Sequence, residues 1–223
     1  MQAHKLLIML VAVLPALAAA ATPTGHDLAQ ATRAKPDLEH GAQLFTQCVS
    51  CHGGNGAGKE SGETPRIAGQ YVPVLLKQLV DFRQGKRWDF RMEEQAKDHY
   101  LKTPQDLADV AAFVAQLDGG NQRGLGDGVH ADDGARIFGS RCASCHGPRG
   151  VGSAQDAVPR LAGQHYGYLM RQMYDAVDGR RPALPRVHPR KIEPLDFEQV
   201  RAVADYLSRI EWDAPEPAPA QSH

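Results

Sequence analysis

Two short runs carry reactive side chains at a spacing that implies chemistry: Cys48-Val-Ser-Cys51-His52 and Cys142-Ala-Ser-Cys145-His146. Both read Cys-x-x-Cys-His, and together they use all four cysteines of the chain. That pattern is the attachment site of c-type haem. The two thiols form thioether bonds to the porphyrin vinyl groups, and the adjacent histidine reaches the iron as its proximal ligand. The spacing keeps both sulfurs on one tight turn and directs the imidazole at the metal. The residues therefore call for two covalently attached haem c groups, one held by Cys48, Cys51 and His52, the other by Cys142, Cys145 and His146. Two other chemistries use such pairs. Zinc ribbons separate their Cys-x-x-Cys pairs by about 15–20 residues, and Cys51 and Cys142 stand much further apart. Thioredoxin-like exchange needs a βαβ setting, and no such pattern surrounds either pair.

The elements that must hold these turns come in two copies. Pro65-Arg-Ile-Ala-Gly-Gln70 returns as Pro159-Arg-Leu-Ala-Gly-Gln164, at the same offset of 94 that separates the cysteine motifs. Leu75, Gln78, Gly85 and Arg87 return as Leu169, Gln172, Gly179 and Arg181. Toward the end of each half the offset slips to 93, where Val110, Ala111, Val114 and Leu117 match Val203, Ala204, Leu207 and Ile210. This is an internal duplication of about 90 residues, and two copies are too few for a solenoid. It divides the chain into domains at 22–118 and 131–212, joined by a Gly-rich polar linker at 119–130. A Pro/Ala-rich stretch at 213–223 reads as a disordered tail.

Each half calls for three helices. The first precedes the cysteine motif, over Glu39–Gln47 and Asp132–Arg141. The second follows Ala-Gly-Gln, over Gln70–Gln84 and Gln164–Val177, with Pro73 tolerated in its first turn. The third is the best defined. Leu107, Val110, Ala111, Val114 and Leu117 keep the i, i+3, i+4, i+7 rhythm of an amphipathic helix. Thr103 can cap it, with Pro104 at the first helical position. In the second copy Asp196 caps a helix that carries Val200, Val203, Leu207 and Ile210. No segment alternates as a strand, so the class is all-α: two tandem domains, each about three main helices around a covalently bound haem. A core of that size is marginal and needs a staple. With aromatics at only 6%, a bulky apolar cofactor supplies what the side chains lack.

Residues 1–21 pair Lys5 with an apolar run from Leu6 to Leu17 and a string of alanines, the pattern of a cleaved secretory signal. Its removal takes away Lys5 and changes the net charge from −1 to −2. No other stretch is apolar enough to span a bilayer, so the mature chain is expected in the periplasm without an integral membrane segment. Lys+Arg total 25 against 26 Asp+Glu, which leaves no basic footprint for nucleic acid. A hydrophobic share of 42% excludes wholesale disorder. Gly53-Gly-Asn-Gly-Ala-Gly58-Lys59-Glu60 nearly spells a phosphate loop but lacks the final Ser/Thr and a leading strand. It reads as a loop at the haem edge.

Paired Cys-x-x-Cys-His-Gly runs, each followed by Pro-Arg-x-Ala-Gly-Gln and a capped C-terminal helix, resemble the di-haem class I cytochromes c of the cytochrome c4 type over about residues 37–211. The resemblance implies two packed cytochrome c domains with their haems close together, in an electron carrier rather than an enzyme. In that family a proline carbonyl about a dozen residues beyond the proximal histidine accepts its N–H. Pro65 and Pro159 match, each 13 residues after His52 or His146. Arg66 and Arg160 either pair with haem propionates or stand as solvated surface arginines.

The family usually places a distal methionine between the second and third helices. Met92 is in that loop and is assigned as the sixth ligand of the first haem, although it lies two or three residues further upstream than expected; His99 is the alternative. The second copy departs from the pattern, because Met170 and Met173 fall on its second helix. His188 stands in the matching loop and is assigned there, with His165 or an open iron as alternatives. A second histidine is a stronger donor to ferric iron than methionine, which raises the potential. The haems are therefore expected to be unequal, with electrons entering at the second and resting on the first. Expected partners are redox proteins: a quinol-oxidising complex or dehydrogenase as donor, and a terminal oxidase or reductase as acceptor. The competing reading is a redox enzyme or its haem subunit, with peroxidase or sulfur-compound oxidation at an open second haem.

Overall fold

The computed structural model describes residues 23–211, so the expected leader and tail lie outside the described residues. The chain folds as α1 (Pro23–Arg33), α2 (Leu38–Phe45), α3 (Val49–His52), α4 (Val72–Arg83), α5 (Phe90–Gln95), α6 (Pro104–Ala115), α7 (Ala131–Arg141), α8 (Ala143–His146), α9 (Tyr166–Val177), α10 (Val187–Ile192) and α11 (Phe197–Arg209). Among the described residues the only β pairing is an isolated bridge between Ser153 and Val158. The fold is all-α, as expected.

Local chemistry fixes the helix starts. Thr103 accepts from the N–H of Asp106, whose side chain returns the bond, so α6 begins with a capping box. Asp196 and Gln199 build the same device at α11. Asp37 caps α2 through the N–H groups of Glu39 and His40. α9 begins at Tyr166 rather than Gln164. Gln164 and His165 are drawn into contacts with the first domain, which unwinds the expected first turn.

In the first domain α2 crosses α6 at a glycine, and in the second α7 crosses α11 at another. A Cβ on Gly41 would overlap the carbonyl oxygen of Asp109, and one on Gly134 would overlap that of Ala202. Beside each crossing an aromatic pair closes the core: Phe45 with Phe113 at 5.5 Å between centroids, and Phe138 with Tyr206 at 5.7 Å. Leu75, Leu76, Val80, Leu107, Val110 and Val114 are buried in the first core. Leu169, Val203 and Leu207 are buried in the second.

Two features depart from the three-helix expectation. α1 packs on α4 and α6 in the first domain, where Ala31 is buried and Asp27 pairs with Arg83 at 3.3 Å. The distal loops are also partly helical, as α5 and α10.

The domains meet through bonds that repeat about a pseudo-two-fold axis. The side chain of Gln164 accepts from the N–H of Arg66 at 3.0 Å and donates to its carbonyl at 2.8 Å. Gln70 does the same with Arg160, at 3.1 and 3.0 Å. Tyr71 donates its hydroxyl to the carbonyl of Val151 at 2.9 Å, and its counterpart His165 meets the carbonyl of Ala57 at 2.7 Å. Gly62 lies against the backbone of Gly167 and Tyr168, too close for any Cβ.

Candidate functional site

The four residues of α3 and of α8 are single turns, and each is closed in the same way. The N–H of His52 bonds the carbonyl of Cys48 at 2.9 Å, and that of His146 bonds Cys142 at 3.1 Å. Gly53 (φ 75°) and Gly147 (φ 76°) then end the turns in a left-handed conformation that a side chain would disfavour. In each motif the first sulfur is half-buried against the core and the second is exposed. Burial pushes the Cys48 thiol up to about 11 and raises that of Cys142 as well. A thioredoxin-type nucleophile needs the opposite shift. Among the described residues, no three His, Cys, Asp or Glu side chains gather to hold a metal ion on their own.

Both motif histidines are buried. His52 Nδ1 lies 3.1 Å from the carbonyl of Pro65, and His146 Nδ1 lies 3.1 Å from that of Pro159. A carbonyl can only accept, so each Nδ1 carries the proton and each Nε2 keeps a lone pair free for a metal. Burial lowers the pKa of His52 to about 4 and lowers that of His146, which keeps both rings neutral, as ligation requires.

On the opposite side the two domains differ. Met92 is the third residue of α5 and is half-buried. Asp89 caps that helix by accepting from the N–H groups of Arg91 and Met92 at 3.2 and 3.3 Å. After burial and the Pro65 bond, the charge of Asp89 acts to raise the pKa of His52 and that of Arg91 to lower it. His99 turns outward, pairing with Glu94 at 3.2 Å and stacking on Tyr100.

In the second domain the ring of His188 faces that of His146 edge-on, with centroids 6.3 Å apart. Two metal–nitrogen bonds of about 2 Å each, plus the depth of the two rings, fill about that span. His188 Nδ1 is buried without a hydrogen-bond partner. Burial, then Arg181 and His146, lower its pKa to about 4. The arrangement fits an iron porphyrin inserted between the two rings. Met170 and Met173 instead pack against the core from α9, and His165 is buried at the domain interface. Met92 precedes α6 by 12 residues and His188 precedes α11 by nine, although the two distal loops differ in length by a single residue, so the two side chains stand at different places in their loops.

Arg66 and Arg160 are both buried rather than solvated. The terminal nitrogens of Arg66 donate to the carbonyls of Asp118 and Gly120 at 2.6 and 2.8 Å, and the guanidinium of Arg160 stands 5.5 Å from the Tyr71 ring centroid. In the sequence Gln70, Gln164, Arg87 and Arg181 stand out only as duplicated positions, whereas the fold gathers them between the domains. Arg87 donates to Gln78 at 2.6 Å and, across the interface, to Gln172 at 2.7 Å and to Tyr168; Arg181 donates back to Gln78 at 3.2 Å. Their recurrence at the offset of 94 was the available signal, because a polar residue kept in both copies needs a shared partner.

Comparison with known proteins agrees with this geometry. The Cytochrome c family model matches residues 38–118 and again 131–211. Cytochrome c4 of Pseudomonas aeruginosa is 33% identical over 153 residues, 65% of this chain and 73% of that protein. A thiosulfate dehydrogenase electron acceptor of Stutzerimonas stutzeri is 29% identical over 189 residues, 76% of this chain and 86% of that protein. The crystal structure of reduced recombinant cytochrome c4 from Pseudomonas stutzeri superposes with a TM-score of 0.71 and 28% identity, over 79% of this chain and all of that one. Two family matches in tandem, each containing one Cys-x-x-Cys-His turn that fits a covalent haem c, make this chain a member of the cytochrome c family, a di-haem electron-transfer protein of the cytochrome c4 type.

Proposed function

We propose that the chain is exported by its N-terminal segment and works in the periplasm as a directional carrier of single electrons. The observation that supports this best is the difference between the two distal loops: His188 faces His146 across 6.3 Å in the second domain, whereas the first offers Met92. In this reading Cys48 and Cys51, and Cys142 and Cys145, hold the two haems by thioether bonds. His52 and His146 are the proximal ligands, and Pro65 and Pro159 fix their tautomers. Met92 and His188 complete the two coordination spheres.

Arg66 and Arg160 set a buried cation one residue beyond each proline and offset propionate charge. Arg66 acts through its field, since its terminal nitrogens already bond carbonyls. The bound haem supplies one-electron chemistry, and the protein tunes its potential and excludes water. The lower-potential centre is the second, so electrons enter there and rest on the first.

The donor class that the relatives favour is a dehydrogenase acting on sulfur compounds, since one relative is named for accepting electrons from thiosulfate dehydrogenase. A quinol-oxidising complex is the other donor class, and a terminal oxidase or reductase is the acceptor. The test is a spectroelectrochemical titration of the holo-protein, with near-infrared magnetic circular dichroism of the oxidised form. The expected result is one His/Met centre and one bis-His centre of lower potential. Two His/Met centres would overturn the role of His188. A high-spin second centre would favour the enzyme reading.

A further inference from the structure

The peptide group between Pro65 and Arg66 is engaged at both ends. Its carbonyl accepts from His52 at 3.1 Å, and its N–H donates to Gln164 of the other domain at 3.0 Å. The mirror arrangement holds at the second site. The carbonyl of Pro159 accepts from His146 at 3.1 Å, and the N–H of Arg160 donates to Gln70 at 3.1 Å. Each glutamine is buried, and its oxygen also accepts the N–H of the next residue, Tyr71 at 3.1 Å or His165 at 2.9 Å. The amide nitrogens donate to the carbonyls of Arg160 and Arg66, so neither glutamine can turn away without stranding buried groups.

An amide whose N–H is bonded carries more negative charge on its oxygen, because hydrogen bonds in a chain polarise one another. A stronger acceptor at Nδ1–H makes the imidazole a more basic metal ligand. A more basic ligand favours ferric iron and lowers the potential. The route is three groups long and crosses the interface: Gln164, the Pro65–Arg66 peptide, His52. It runs the other way through Gln70, the Pro159–Arg160 peptide and His146.

We propose that Gln164 and Gln70 are positioning residues that tune the haem of the opposite domain, so each domain sets part of its neighbour's potential. The inference rests on His52 and His146 being the proximal ligands and on nothing about the redox partners.

It is tested on the holo-protein by redox titration of Gln164→Leu and Gln70→Leu. The hyperfine-shifted Nδ1 proton resonances of His52 and His146 identify which centre has moved. Gln164→Leu is expected to raise the potential of the first-domain haem and leave the second in place; Gln70→Leu should do the reverse. A shift confined to the haem of the mutated domain, equal shifts in both, or no shift would each overturn the proposal. If a leucine variant fails to fold, Gln164→Met and Gln70→Met, which keep the side-chain length but lack the amide oxygen, are read for the same crossed shifts. An error in the ligand assignment itself would already show in the wild-type resonances and circular dichroism.

Discussion

A proximal histidine must be neutral, with its proton on the right nitrogen and its ring held still. His52 and His146 meet all three conditions through one backbone acceptor each, and burial keeps the ring from charging. The same reasoning separates the two distal positions. In the proposed ligand set Met92 brings a thioether, whereas His188 brings a half-buried imidazole that faces His146 edge-on. Replacing His188 with Met is expected to raise the second potential and narrow or close the gap between the centres, because the weaker donor no longer favours ferric iron. A redox titration beside the wild type reads this directly, and an unchanged gap would remove His188 from the ligand set. At this scale the cysteines and motif histidines were fully legible, since their spacing is itself the chemistry. Gln70 and Gln164 were not, because a residue that serves the other repeat leaves no local signature.

Helices α6 and α11 were legible because cap, first-turn residue and apolar rhythm all pointed the same way. The short helices α5 and α10 were hidden among charged residues with no apolar period, and α1 had no counterpart in the second half to give it away. The crossings of α2 on α6 and of α7 on α11 depend on glycine. Gly41→Ala and Gly134→Ala force a methyl group into a carbonyl oxygen, and each should cost about 1–3 kcal/mol as overpacking. Thermal unfolding of the holo-protein measures it, and a midpoint like the wild type would mean the crossing gives way easily.

The α2–α6 contact also depends on pH. The Asp109 carboxylate accepts from His40 at 2.8 Å and raises its pKa above the ordinary 6.5. A raised histidine pKa adds stability in full below about 6.5, and that stability is lost as pH rises through the folded value. His40→Gln should therefore lower the unfolding midpoint at pH 6 and approach the wild type at alkaline pH. An equal difference at every pH would mean the loss is one of packing.

At the scale of the whole molecule the two-fold arrangement is broken in one telling place. Tyr71 reaches across the interface with a hydroxyl from a partly exposed ring, but its counterpart His165 is 0% exposed. The imidazole is used at both ends. Nε2–H donates to the carbonyl of Ala57 in the first domain at 2.7 Å, and Nδ1 accepts the N–H of Gly124 in the linker at 3.0 Å. Only the neutral ring can do both, so His165 ties two domains and the linker with a single tautomer. Burial lowers its pKa, Arg66 lowers it further, and the Ala57 bond and Glu60 pull the other way. With the folded pKa depressed, the docked state is fully stable above about 6.5 and loses stability as pH falls below it, because the undocked ring takes up a proton that the docked ring refuses. Acid should loosen the docking before it unfolds either haem-stapled core. Proteolysis within residues 119–130 of the holo-protein is therefore expected to accelerate between pH 6.5 and 5. His165→Gln, which keeps a donor and an acceptor but cannot titrate in this range, should flatten that dependence. If the variant keeps the wild-type profile, the acid response belongs to another group and His165 is a passive part of the interface.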